Sequence, residues 1–298
     1  MDFFIWVLNY LIGIFMKKGN FIFLCILILL TTNAFASEPI SFFNLVKKNN
    51  LFYKKASIIP YSGKVEGIKN GRLENGIING IWITYLKNGN LSHKENYKNG
   101  QLDGLSEIYH QNGRLYEEGN YQSGKKFGLW ITYFENGEIS YKATYKEGME
   151  DGPFNSYSSE DGRLLWKGFY KNGKRDGPWE YYYENGKVEL KDNYKQGKKD
   201  GPWVYYYPNG KLHSRGIYSS GKKNGLMEWF YKNGKLKAIG NYNKGRRKDG
   251  LWETYSQKGD LKSKGYYKND KKDGPWEVYD SDGQLKIQRN FINGREIE

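Results

Sequence analysis

From residue 76 onward, aromatic and glycine positions alternate with polar ones on a frame of 24 or 25 residues, repeated nine times. The opening glycines are Gly80, Gly104, Gly128, Gly152, Gly177, Gly201, Gly225, Gly250 and Gly274. Two residues after each stands a bulky side chain: Trp82, Trp130, Phe154, Trp179, Trp203, Met227, Trp252 or Trp276, with Ser106 as the exception. Three residues further on an aromatic follows in every copy, from Tyr85 and Tyr109 to Tyr255 and Tyr279. An aromatic-rich stretch such as Trp179–Tyr183 suits a strand. The Asn185-Gly186 pair that follows predicts a hairpin turn of type I′, since both residues tolerate positive φ. Asn-Gly or Asp-Gly recurs there in every copy but one, Lys258-Gly259. A second strand is then expected, with an aliphatic and an aromatic residue six apart, as in Val188/Tyr194 and Leu212/Tyr218. Six is even, which predicts both on one face. A Gly-Lys-Lys-Asp-like loop leads to the next unit.

A fixed period of this length is the mark of a repeat architecture, each unit burying its apolar surface against its neighbours. Two strands per unit give a rise of about 10 Å per repeat and about 85 Å for nine. The predicted fold is all-β: an elongated, single-layer antiparallel meander of hairpin repeats, twisted or rolled into a half-pipe because so many strands do not stay flat. The first-strand Trp and Tyr lie three apart, so either both faces carry an aromatic column or each unit contains a bulge.

The segment before the repeats has a different character. Lys17 and Lys18 precede an apolar run, Phe21 to Leu30, and then Ala34-Phe35-Ala36, the small-x-small pattern of a signal-peptidase site. Residues 1–36 are expected to be a signal peptide cleaved after Ala36, with residues 1–15 a misassigned upstream start or an extension. The alternative is an uncleaved N-terminal membrane anchor. Residues 37–60 form a short lead-in, 61–79 a degenerate first repeat and 80–298 the nine hairpin repeats. Cleavage removes Cys25, the one cysteine, so no disulfide stabilises the mature chain. It also leaves 45 basic against 32 acidic residues. A basic exported chain suits anionic lipid, cell-wall polymer or acidic proteins, in the periplasm or at the cell surface; nucleic acid is not an expected partner there.

Two surfaces are candidates for binding. One is the indole column of Trp82, Trp130, Trp179, Trp203, Trp252 and Trp276, which suits sugar rings or protein anchors if it is open and is the core of a thin sheet if it is closed. The other is a ladder of basic loops, including Lys125, Lys126, Lys198, Lys199, Lys222 and Lys223, partly offset by Asp176, Asp200, Asp249 and Asp273. The alternative reading of that ladder is a solvated edge kept soluble by charge. His93, His110 and His213 share no frame position, which speaks against a metal site or a catalytic base. Asp280-Ser281-Asp282-Gly283 occupies a turn position and lacks the later acidic ligand of a calcium loop. The lysine loops lack the Gly-Lys-Ser/Thr ending of a phosphate loop. The chain is read as a non-enzyme with no cofactor and no metal.

Gly-x-Trp-x-x-Tyr-x-x-Asn-Gly-x-Leu followed by Tyr-x-x-Gly-Lys-x-x-Gly resembles the MORN-repeat variant of bacterial proteins often called YwqK-family antitoxins. The lead-in from Leu51 to Val65 is similar to that family's own, so the resemblance covers about 51–298. It implies a scaffolding or membrane-contacting module. With the export signal, it points to a binding module for a protein, an envelope polymer or a membrane surface. The alternatives are an immunity-type toxin inhibitor and a polysaccharide-binding protein.

Overall fold

A computed structural model describes residues 38–298 apart from Arg246; the expected signal peptide, with its Ala36 cleavage site and Cys25, lies outside the described residues. Twenty-four strands form one antiparallel sheet that does not close, save that Ile40–Ser41 pairs in parallel with Gly63–Glu66. A separate two-stranded hairpin joins Leu45–Lys48 to Leu51–Lys54. The chain divides into two compact units. Among the described residues the first holds those from 38 to Gly89 with Tyr97–Gly100, and the second holds Asn90–Asn96 and Gln101–Glu298.

In the first unit the lead-in supplies a core. Tyr61, Val65, Leu73 and Trp82 are buried together, with Phe42, Leu45 and Phe52 packed on them. In the second unit each repeat contributes two long strands, for example Lys125–Tyr133 and Ile139–Lys146, paired from Gly128↔Tyr145 to Tyr133↔Ile139.

The two turns of each repeat exchange the roles expected for them. At Glu135-Asn136-Gly137, Gly137 N–H donates to Phe134 O (2.9 Å) and Phe134 N–H to Glu138 O (2.8 Å). Only the glycine has positive φ (92°). This is a type I turn closed by a glycine bulge, not type I′. Asparagine serves there through its side chain: Asn185 Oδ1 accepts from Lys187 N (3.1 Å), and its Nδ2 donates to Pro208 O of the next turn (2.8 Å). A type I position needs no positive φ, which is why Lys258-Gly259 keeps the same turn, with Gly259 N–H donating to Ser256 O (3.0 Å). The type I′ turns instead join one repeat to the next. Gln196 (φ 49°) and Gly197 (φ 82°) sit between the paired Lys195 and Lys198, and Glu147 with Gly148 repeats the geometry. The lysine pairs therefore open strands rather than lie in loops.

Each repeat also has two irregularities in its register, one near the opening glycine and one at the end of the hairpin, between Ala143/Tyr145 and between Thr132/Tyr133 for example. No bulged residue separates Trp130 from Tyr133 on their own strand. Both halves of the open question thus hold: the faces carry different aromatic columns, and each unit is bulged. The second irregularity corrects the even-spacing argument. Ser140 is skipped in the pairing, so Ile139 lies opposite Tyr133 while Tyr145 lies on the Trp130 side, its ring 6.2 Å from the indole. One inserted residue reverses which face the rest of a strand presents.

Candidate binding surfaces

The indole column is core. Trp130 and Trp179 are fully buried, Trp82, Trp203 and Trp252 nearly so, and Trp276 half-buried. Tyr121 and Tyr145 meet Trp130 edge-on at 5.0 and 6.2 Å, and Tyr170 meets Trp179 at 5.2 Å. Three indole N–H groups donate to backbone, Trp130 Nε1 to Asn120 O at 3.1 Å, Trp179 Nε1 to Phe169 O at 3.2 Å and Trp252 Nε1 to Asn241 O at 3.1 Å, while the buried Trp203 Nε1 has no protein acceptor. Five of the six indoles sit over a glycine of the preceding strand, whereas Trp203 has Asp192 at that frame position. A methyl added to Gly168 would lie 2.7 Å from Trp179 Cγ, with two ring carbons nearer still; Gly119, Gly240 and Gly265 seat Trp130, Trp252 and Trp276 likewise. Where the seat is Ala143, the ring above it is the smaller Phe154. A glycine 11 or 12 residues before the tryptophan is the sequence signal of such a seat. Of the two arrangements the sequence allowed, the tryptophans take the closed one, as the core of the sheet.

The basic ladder divides in two. In four pairs the second cation turns inward over an indole: Lys126 Nζ lies 3.8 Å from the Trp130 ring centre, Arg175 Cζ 4.2 Å from Trp179, Lys248 4.3 Å from Trp252 and Lys272 4.1 Å from Trp276, while Lys199 lies 5.3 Å from the Tyr218 ring. Lys223 stands 5.7 Å from Trp203, and burial together with the neighbouring Lys199 lowers its pKa. Lys126 also pairs with Glu117 (2.7 Å), and Lys199 with the buried Asp192 (2.6 Å). The first cation stays outside. Lys125 pairs with Glu147 at 2.8 Å. Lys198 and Lys222 are exposed and form no ion pair among the described residues. Of the aspartates that partly offset this charge, Asp176, Asp200 and Asp273 also cap turns, accepting from the backbone N–H of Gln196, Ser220 and Asn293 at 3.0, 2.8 and 3.0 Å.

Three type I′ turns place lysines directly opposite each other: Lys171/Lys174, Lys195/Lys198 and Lys268/Lys271. At the other end of the strands some cations are engaged by backbone. Lys187 and Lys211 donate to Asn209 O and Asn233 O of the next turn at 3.2 and 3.0 Å.

The face opposite the indoles carries a lattice of glutamate, lysine and tyrosine. Glu180 binds Lys191 (2.9 Å), Lys167 (3.1 Å) and the Tyr182 hydroxyl (2.6 Å), and its carboxyl is held down at about 2, first by Tyr182 and then by the lysines. Glu277 is bound by Lys264 at 3.0 Å and by Tyr279. Between this lattice and the lysine turns runs an apolar stripe that includes Pro153, Phe169, Pro178, Leu251, Tyr266 and Pro275, all exposed.

The histidines stay apart from one another. His93 and His213 contact the adjacent Ser92 and Ser214 at 2.7 and 2.9 Å, and His110 contacts Tyr133 O at 3.1 Å. Asp280 Oδ1 accepts from Asp282 N and Gln284 N at 3.0 and 2.9 Å, a turn role. Among the described residues no cluster of His, Cys, Asp and Glu is placed to hold a metal ion.

The repeat frame matches the family described as "MORN repeat variant" in eight segments: 78–99, 102–123, 128–147, 175–196, 199–220, 223–244, 248–269 and 272–293. The chain belongs to that family. The fourth repeat, which has Phe154 in place of the indole and an extra turn residue, falls between the third and fourth matched segments. Repeats of this family commonly mediate protein or membrane binding and are typically non-catalytic. No curated protein matches the chain. Similar solved structures include "Crystal Structure of TcdB2-TccC3" at 13% identity and a TM-score of 0.19, covering 76% of this chain and 14% of that one. Another is the same complex with Cdc42, at 13% identity and a TM-score of 0.19, covering 74% and 13%. The chain thus spans under a sixth of those proteins, and at that TM-score no conclusion is drawn from them.

Proposed function

We propose that this chain is an exported, non-catalytic scaffold that holds an anionic macromolecule of the cell envelope along its lysine turns. One observation carries the reading. Lys171/Lys174, Lys195/Lys198 and Lys268/Lys271 oppose like charges across tight turns with no carboxylate partner among the described residues. Such pairs destabilise a hairpin, and the fold gains nothing from them that serine or threonine would not supply. The same turns repeat along the sheet at about 10 Å, a spacing suited to a polyanion. The buried indoles remove the surface on which a polysaccharide reading rested.

Export accords with the lysine pair, apolar run and Ala34-Phe35-Ala36, and locates the chain in the periplasm or on the cell surface. N-terminal sequencing of the exported protein should begin at Ser37. Co-sedimentation with purified cell wall should weaken steeply between 50 and 300 mM salt, test concentrations set by the roughly 10 Å screening length at 0.1 M. Substituting the six lysines by glutamine should abolish it. Salt-resistant binding that survives those substitutions would overturn the proposal, and a contact-type toxin inhibitor would then be tested with its cognate toxin.

A further inference from the structure

The apolar stripe opposite the indoles holds two equivalent recesses. One, of about 410 Å³, is lined by Pro153, Asn155, Lys167, Gly168, Phe169, Pro178 and Glu180. The other, of about 310 Å³, is lined by Leu251, Glu253, Lys264, Gly265, Tyr266, Pro275 and Glu277. Position for position these are the same seven places in the repeat frame, four repeats apart. Each has a glycine floor, a half-exposed ring (Phe169 48%, Tyr266 45%) and an apolar residue on either side. A recess that recurs at one frame position belongs to the repeat design rather than to a local accident of packing.

Its two walls differ in charge. On one side the polar groups are closed on each other: Lys167 and Lys191 on Glu180, Lys264 on Glu277. On the other side, two residues further along the same strand, stand Lys171 and Lys268, opposite Lys174 and Lys271. Asp151 and Asp176 lie beside Phe169 on that side, each engaged by a turn amide, of Asn172 (3.1 Å) and Gln196 (3.0 Å). The recess therefore has an apolar floor, a neutralised wall and a lysine-rich lip.

We infer that this face docks an acidic, amphipathic segment of a partner protein. Apolar side chains of the segment fill the recesses at Phe169 and Tyr266, and its carboxylates meet Lys171/Lys174 and Lys268/Lys271. Charge complementarity selects acid over base, and the apolar floor selects a peptide with alternating apolar side chains over a purely charged polymer. The closed Glu–Lys–Tyr wall leaves few free groups to read sugar hydroxyls. A membrane contact fits less well, because the rings lie in recesses flanked by proline or leucine and do not project. This inference rests on the scaffold reading and specifies its partner.

The test uses the exported, purified protein and a fluorescent acetyl-(Glu-Leu)6-amide peptide. Comparison probes are (Lys-Leu)6, (Glu-Ser)6 and phosphatidylglycerol vesicles. The expected result is that (Glu-Leu)6 binds at least tenfold tighter than either other peptide. Phe169→Ser with Tyr266→Ser should cut that affinity at least fivefold while leaving (Glu-Ser)6 binding unchanged. In the unaltered protein, amide exchange should slow on peptide binding at 153–180 and 251–277, a readout that needs no variant. If (Glu-Leu)6 and (Glu-Ser)6 bind alike, the groove inference falls and the lysine-turn reading stands. If neither binds, both fall. Vesicle binding that depends on Phe169 and Tyr266, without a peptide preference, would make this face a membrane contact and overturn the inference.

Discussion

Replacing Gly168 by Ala tests whether the glycine seats and the indole column form one packing unit. The added methyl would lie 2.7 Å from Trp179 Cγ, where an ordinary carbon contact needs about 3.5–4.0 Å. The indole must move by roughly 1 Å or more, and it has no empty space to enter, being fully buried. Movement strains its hydrogen bond to Phe169 O, its edge contact with Tyr170 and the guanidinium of Arg175 stacked 4.2 Å away. A neutral hydrogen bond contributes about 1 kcal/mol, and overpacking a tight core costs about 1–3 kcal/mol. The expected loss is about 2–3 kcal/mol. Ala143 under Phe154 shows how the sheet accommodates a methyl: it seats a smaller ring. Trp179→Phe in the Gly168→Ala background should therefore recover at least 1 kcal/mol of what the single changes lose together. The assay is urea unfolding followed by far-ultraviolet circular dichroism, with each variant also checked for a change in slope, since repeat arrays lose cooperativity. Additivity of the two substitutions within about 0.5 kcal/mol would refute the seat argument.

Lys174→Gln should stabilise the protein by about 0.2–1 kcal/mol in the same unfolding assay, by removing the like charge opposite Lys171, while weakening cell-wall co-sedimentation. Asp176→Ala should cost about 1 kcal/mol and speed amide exchange at Gln196, whose N–H it binds. The Glu180 carboxyl is held at about 2, below its ordinary 4.5, so its stabilisation is complete above about 4.5 and disappears as pH falls through 2. Glu180→Gln should accordingly lose less stability than wild type over that window, by about 1 kcal/mol once solvent screening is allowed for, as measured by thermal melts across pH. Asn185→Ala should weaken the turn stack by about 1 kcal/mol, since it removes both Asn185 Oδ1 and the bond to Pro208 O, whereas Lys258→Ala should cost little.

Periodicity made the architecture legible. A fixed interval between Gly, Trp and Tyr leaves only one economical arrangement, equivalent hairpins stacked on one another, and the two-strand unit follows from residue types that suit strands and turns. The Asn-Gly pairs marked where chains reverse, yet not which turn they make. The same turn forms at Lys258-Gly259, so the pair does not select it, and the bond from Asn185 to a carbonyl 23 residues away ties one turn to the next, a distance at which local propensity is silent. The facing of side chains was likewise hidden. Parity is counted along one strand, whereas the bulged Ser140 appears only when two strands pair. Lysines adjacent in sequence, such as Lys198 and Lys199, read as one basic loop. As strand residues they point to opposite faces, one to water and one to Asp192 and the aromatic core. The sequence by itself determined that the protein is a hairpin repeat and where each unit begins. Tertiary structure decided which aromatics are core, which cations remain free and where an apolar recess stays open, because burial is set by neighbours one repeat away.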